Sequence, residues 1–316
     1  MSLIHQHSHK GGHDHGQGGS HSHGPASFGK AFAIGVALNL SFVLAEWLFG
    51  LVAHSLALLA DAAHNLGDVL GLLLAWGAMH LSQREPDERY TYGLRGTSIL
   101  AALINAIGLL LITGGLAWEA IHRLSEPQPV AGGIVIAVAL AGVLVNGITA
   151  WLFMSGSDKD LNVRGAYLHM AADAAVSLAV AVGGGVVLFS GWLWLDPVLT
   201  LAVALVIVWT TWDLLKQSVR LALQAVPESI DSAEVRGYLA ALPGVSQVHD
   251  LHIWAMSTTE NALTAHLVIP GGHPGDDFLH TACHEIEHRF GIHHTTLQIE
   301  LADTSRSCVL APDRVV

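Results

Sequence analysis

Charge is scarce in this sequence. Only 13% of its 316 residues are Asp, Glu, Lys or Arg, against roughly 25% in soluble proteins. Too little charge is present to coat a soluble surface of this length. Basic residues are scarcer than acidic ones, with 14 Lys and Arg against 26 Asp and Glu and a formal net charge of −12. That balance excludes a nucleic-acid binder, whose footprint is a basic face. Cysteine is limited to Cys283 and Cys308, both beyond Pro227. Two thiols cannot form a disulfide framework, and reduced cytosolic thiols are the expectation. No Gly-x-x-x-x-Gly-Lys-Ser/Thr loop occurs, so nothing supports ATP drive within the chain. No signal peptide is expected, because no cleavage signature follows the first apolar run.

Apolar residues and histidine are what the chain has instead. Hydrophobic residues make up 52% of it, with a mean hydropathy of +0.48. Six apolar runs stand out: Ala31–Ala53, Leu56–Leu81, Ser98–Ile121, Gly132–Ser155, Ala166–Ser190 and Asp196–Trp212. Each approaches the ~20 residues that cross about 30 Å of hydrocarbon. Without period-2 alternation they read as helices, which satisfy their own backbone in lipid. The bilayer is thus the first partner implied.

Orientation follows from the basic residues. Lys10 and Lys30 precede the first run; Arg84, Arg89 and Arg95 lie between the second and third. Lys159 and Arg164 lie between the fourth and fifth, and Lys216 and Arg220 follow the sixth, whereas the opposite loops hold only Arg123. A multi-pass protein of the inner (plasma) membrane with both termini in the cytosol is expected.

The ends differ in kind. Residues 1–30 are His-, Gly- and Ser-rich, with His5, His7, His9, His13, His15, His21 and His23. So few apolar residues predict a disordered cytosolic tail, which either collects metal weakly or is dispensable. Residues 31–220 form the six-helix unit. Residues 221–305 read as a small cytosolic domain, and 306–316 as a tail. Within that domain, Asp231–Leu242 reads as a helix, Gln247–Ala255 and Ala262–Ile269 as strands, Asp276–Phe290 as an amphipathic helix and Thr295–Leu301 as a third strand. The order αββαβ predicts an α+β fold with helices on one face of the sheet. About 80 residues make a small core, so pairing between copies is expected there.

Ionisable residues inside membrane spans are costly and mark function. The second run contains His64 and Asp68, the fifth His169 and Asp173. His-x-x-x-Asp puts both side chains of a pair on one helix face. Two such faces, opposed, supply two imidazoles and two carboxylates, a tetrahedral donor set for Zn2+. Glu46 and Asp61 in neighbouring positions are candidates for groups that hold the histidines or pass protons. Gly67 and Gly71 predict close helix packing. Zinc and protons compete for the same donor atoms. A divalent metal exchanged for protons by alternating access is therefore the expected activity. Cobalt, iron, nickel and cadmium accept the same ligands.

These segments are similar to the cation diffusion facilitator family, in its bacterial zinc-exporter branch. The resemblance rests on Ser55–Leu74, Thr91–Ala106, Asn162–Asp173 and Val248–Trp254, with Trp118–Leu124 and Thr295–Glu300 in support. It implies a homodimeric, proton-coupled zinc exporter, with transport ligands at His64, Asp68, His169 and Asp173. It also implies a ferredoxin-like cytosolic domain binding regulatory Zn2+ through His249, His266, Glu300 and His293. Where the family has Arg, then Glu two residues on, before the third span, this chain has Gly96 and Ser98, with Arg95 one place earlier. Regular alternation along Gln247–Ala255 would put His249, Leu251 and Ile253 on one face and Asp250, His252 and Trp254 on the other.

One rival motif is present. His284-Glu285-Ile286-Glu287-His288 matches His-Glu-x-x-His, the zinc site of a metalloprotease with Glu285 as base. A membrane-anchored metalloprotease is thus the alternative reading. The other is a solvated helix face.

Overall fold

The computed structural model describes residues 30–82, 84–154, 161–301 and 308–311. The histidines of the first 30 residues, Lys10 and Lys159 lie outside the described residues.

The apolar runs fold as helices α1 (Lys30–Ala53), α2 (Leu56–Ser82), α3 (Thr97–Ser125), α4 (Gly132–Met154), α5 (Leu161–Ser190) and α6 (Leu195–Ala222). All six are long and apolar enough to span a bilayer. Their outer surfaces present large side chains such as Leu111, Trp151, Leu205 and Trp209, a waste in water but the natural face toward lipid. Helix α6 runs ten residues past the expected Trp212. Its last turns are polar, with Lys216 Nζ 2.7 Å from Asp213 Oδ1, so hydropathy could not mark them as helix.

Small residues set the packing. A Cβ on Gly67 would lie 2.9 Å from Leu109 of α3, and one on Gly71 would lie 3.3 Å from Asn105. The Gly67–Gly71 face therefore seats α2 against α3, as the spacing predicts. The start of α2 is tied down by three hydrogen bonds. Asp196 of α6 accepts the Leu56 backbone N–H at 2.7 Å and the Ser55 hydroxyl. Arg123 Nη1 donates to the His54 carbonyl at 2.7 Å, and His54 takes the left-handed backbone at φ 53°. Arg123, in the last turn of α3, is thus a clasp for the α1–α2 turn.

Beyond the helices, α7 (Ser232–Ala240), β1 (Gln247–Ala255), β2 (Asn261–Val268), α8 (Asp276–Phe290) and β3 (His294–Glu300) follow in the expected order. Asp231 caps α7 by accepting the N–H groups of Ala233 and Glu234. The sheet order is β1-β2-β3, with β1 antiparallel to β2 and β2 parallel to β3. The parallel pair requires the crossover that α8 supplies. Val235, Leu239, Ile253, Leu263, Leu267, Ile286 and Ile292 form the core between helices and sheet.

The two parts touch at the β1–β2 turn. Arg95 Nη1 lies 2.8 Å from Glu260 Oε2, and Ser98 Oγ accepts the Thr258 N–H at 3.1 Å. Arg95, one place from the family position, ties the membrane helices to the sheet domain.

Candidate metal centre

Helices α2 and α5 bring the four residues read as transport ligands together. His64 Nε2 lies 3.1 Å from Asp173 Oδ1 and 3.9 Å from Asp68 Oδ2. His169 Nε2 lies 3.3 Å from Asp68 Oδ2 and 3.6 Å from Asp173 Oδ2. His64, Asp68 and Asp173 offer donor atoms all within 4.8 Å of one another. His169 reaches both carboxylates but stands outside that trio. A cation between the carboxylates would offset their mutual repulsion and satisfy the imidazoles at once.

Exposure divides the quartet. His169 is 45% exposed and Asp68 36%, whereas His64 is 15% and Asp173 4%. Asp68 lies further along α2 than His64, and His169 earlier along α5 than Asp173. The open pair therefore faces the end of the bundle where α2 finishes and α5 begins. The buried pair faces the end clasped by Asp196 and Arg123.

A second group lies in the sheet domain. His249, His266, Glu300 and Cys308 offer donors within 4.8 Å of one another. His266 Nδ1 sits 2.9 Å from Glu300 Oε1 and 3.6 Å from Cys308 Sγ, and His249 Nε2 sits 3.4 Å from Glu300 Oε2. His249 is 2% exposed, yet neither ring nitrogen has a hydrogen-bond partner among the described residues. A buried imidazole without partners is costly unless something else occupies its lone pair. Burial pushes the Glu300 carboxyl up, but a hydrogen bond with the Cys308 thiol and the neighbouring His249 bring it below the ordinary carboxylate range.

The alternation expected along β1 fails here. The register passes from His249↔His266 to His252↔Thr264, a bulge, and Asp250 inside it takes φ 49°. The extra residue re-aims the strand. Asp250 Oδ2 then lies 3.4 Å from His266 Nε2, while Oδ1 meets His252 Nε2 at 2.9 Å. With Nε2 turned to Asp250, His266 presents Nδ1 to the group, the arrangement that orients metal-bound histidines. Cys308 and Asp250 were not read as members of this site. His293 is not brought to it: exposed, it lies just before the far end of β3, about 20 Å from Glu300 along the chain.

The protease motif does not assemble. His284 and His288 are exposed with ring centroids 6.4 Å apart, and Glu285 Oε2 is bonded to Arg289 Nε at 2.7 Å. Among the described residues, neither histidine joins a metal-holding group. The motif lies on the solvated face of α8.

Six membrane-length helices, a polar quartet between two of them and a small sheet domain define a multi-pass carrier of cations. Residues 32–221 match the cation efflux transmembrane domain, and residues 227–302 match the cytoplasmic domain of cation efflux proteins. The chain belongs to the cation efflux family, the cation diffusion facilitators. It is 36% identical over 300 residues to the zinc transporter ZitB of Escherichia coli, covering 94% of this chain and 93% of that one. It is 36% identical over 303 residues to the metal cation efflux system protein CzcD of Cupriavidus metallidurans, covering 96% and 91%. Over 276 residues it is 34% identical to a cadmium, cobalt and zinc/H(+)-K(+) antiporter of Bacillus subtilis, covering 86% and 88%. The protein is a divalent-cation efflux transporter of the membrane, and not an enzyme.

Proposed function

We propose that the protein exports Zn2+ from the cytosol in exchange for protons. His64, Asp68, His169 and Asp173 serve as the carrier site, and the observation behind this is the convergence of both imidazoles on both carboxylates within 4 Å. Neutral imidazole and ionised carboxylate bind zinc, and protons displace it. A more acidic exterior then favours release there. The name of the Bacillus relative, an H(+)-K(+) antiporter for zinc, cadmium and cobalt, supports proton exchange.

The chain sits in the plasma membrane with both termini cytosolic. A tail of 1–30 and one of 306–316 flank a transport unit of 31–220 and a regulatory unit of 221–305. On this orientation the exposed pair, Asp68 and His169, faces the cytosol, the side from which Zn2+ loads. The cytosolic unit pairs two copies and binds Zn2+ through His249, His266 and Glu300, with Cys308 completing the set within one chain. His293, far from that set, is a ligand only if the partner copy brings a second group to it.

Zinc uptake into proteoliposomes under an imposed pH gradient tests the reading, with Asp173→Ala and His64→Ala as variants. Flux that follows the proton gradient and vanishes in both variants is expected. Flux that persists in both removes the quartet as the carrier site.

A further inference from the structure

One layer of polar side chains lies beyond the quartet, toward the clasped end of the bundle. Asp61 precedes His64 on α2, about 4.5 Å away along the axis, and Ser177 follows Asp173 on α5 by about 6 Å. Glu46 reaches the same layer from α1. Glu46 and Asp61 are each 0% exposed. Asn65 Nδ2 donates to Glu46 Oε2 at 3.1 Å, and Ser177 Oγ donates to Asp61 Oδ2 at 2.9 Å. The remaining oxygens, Glu46 Oε1 and Asp61 Oδ1, are buried with no donor from the described residues. No Lys or Arg forms an ion pair with either carboxyl among the described residues.

Asp61 and Asn65 stand one turn apart on the same face of α2, so Glu46, held by Asn65, shares its layer with Asp61. Two carboxyls buried in one layer without a neighbouring Lys or Arg cannot both remain ionised. The titratable groups next to this layer are His64, one turn beyond Asp61 on α2, and Asp173, one turn before Ser177 on α5. Both belong to the carrier site, so a cation bound there acts on the pair through space.

We propose that Glu46 and Asp61 form a proton-binding site separate from the metal ligands, and that the proton they share is one of those exchanged for the cargo. This rests on the proton-exchange reading above. A divalent cation loading at the quartet repels the shared proton. The O–H bond breaks, and the proton leaves past His64 and Asp173 toward the exposed Asp68 and His169. Once the site opens outward and the cation has gone, the vacated carboxylate takes a proton from the exterior. Cargo and proton thus exclude one another without contesting the same atoms, a coupling of two sites through their charges.

The test joins infrared spectroscopy of the full-length protein with proteoliposome flux. Metal-free wild type at neutral pH should show the high-frequency C=O stretch of a protonated carboxylic acid. Glu46→Gln and Asp61→Asn should each lose it. Ser177→Ala, which removes only the hydroxyl bonded to Asp61, should shift its frequency. Both carboxyl variants should still bind zinc in detergent, while the number of protons moved per zinc falls and the pH gradient no longer accelerates zinc flux. A wild type without the band overturns the proposal, whatever the folding of the variants. So does a band that persists in the Glu46→Gln/Asp61→Asn double variant, or an unchanged proton-to-zinc ratio in it. If wild-type zinc flux moves no protons at all, the exchange reading itself fails and this inference falls with it.

Discussion

The two groups proposed to hold metal are built on opposite mechanical principles. The quartet is divided between α2 and α5, which share no backbone hydrogen bonds. Each contributes one imidazole and one carboxylate, so separating the helices breaks the set in half. Three donors of the cytosolic group, His249, His266 and Glu300, sit on neighbouring strands, where His249 pairs with His266 and Val268 with Glu300 in the sheet ladder. Those donors cannot part without unzipping the sheet. The quartet's ligands also range from 4% to 45% exposed, while His249, His266 and Glu300 stay at or below 18%. On the proposed roles, a carrier site must let go and a regulatory site must hold. The difference teaches that similar donors serve either task according to what ties them together.

Several substitutions sharpen or break that contrast. The largest effect is expected from His266→Ala, which should weaken cytosolic zinc binding about 100-fold or more while zinc flux through the membrane continues. Isothermal titration and proteoliposome uptake on the same preparation check this. Flux lost as completely as in Asp173→Ala would merge the two groups into one function. Asp250→Ala should weaken the same binding about tenfold, because His266 loses the carboxylate that orients its Nε2. An unchanged affinity would show the bulge to be irrelevant to the metal.

Alkylation separates the two thiols. Burial holds the Cys283 thiol above its ordinary value, so Cys283 should label slowly at neutral pH with or without zinc. Cys308 should label without zinc and be protected by it, as mass spectrometry of the tryptic peptides reports. Equal labelling of Cys308 in both conditions would remove the thiol from the donor set. The smallest effect concerns the scaffold. Asp231→Ala deletes the α7 cap and should cost about 1 kcal/mol, read as a fall of a few degrees in the Tm of the cytosolic unit, with zinc affinity unchanged.

What the sequence made legible follows from periodicity. Long apolar runs located all six helices, and the strands β1 and β3 and helix α8 fell within a residue of their expected limits. The doubled His-x-x-x-Asp spacing named the quartet, because i and i+4 on a helix must share a face. Where regular geometry ends, the reading failed. Strict alternation separated His249 from Asp250, and only the bulge and the φ of 49° bring both to the site. Cys308 follows the last strand in no periodic relation to it, so no spacing rule could place its sulfur beside His266. The end of α6 was missed because polar turns prolong a helix that hydropathy recognises only inside lipid.

The β1–β2 hairpin has one further consequence. Its histidine pair lies near the open end, and its turn is fixed to the membrane helices by Arg95–Glu260 and Ser98–Thr258. About seven residues of strand separate the two, roughly 20 Å of stiff ribbon. Such a ribbon behaves as a lever arm. A tilt of about 5° at the histidines sweeps the turn through about 2 Å, a displacement of the size that accompanies helix shifts in switching proteins.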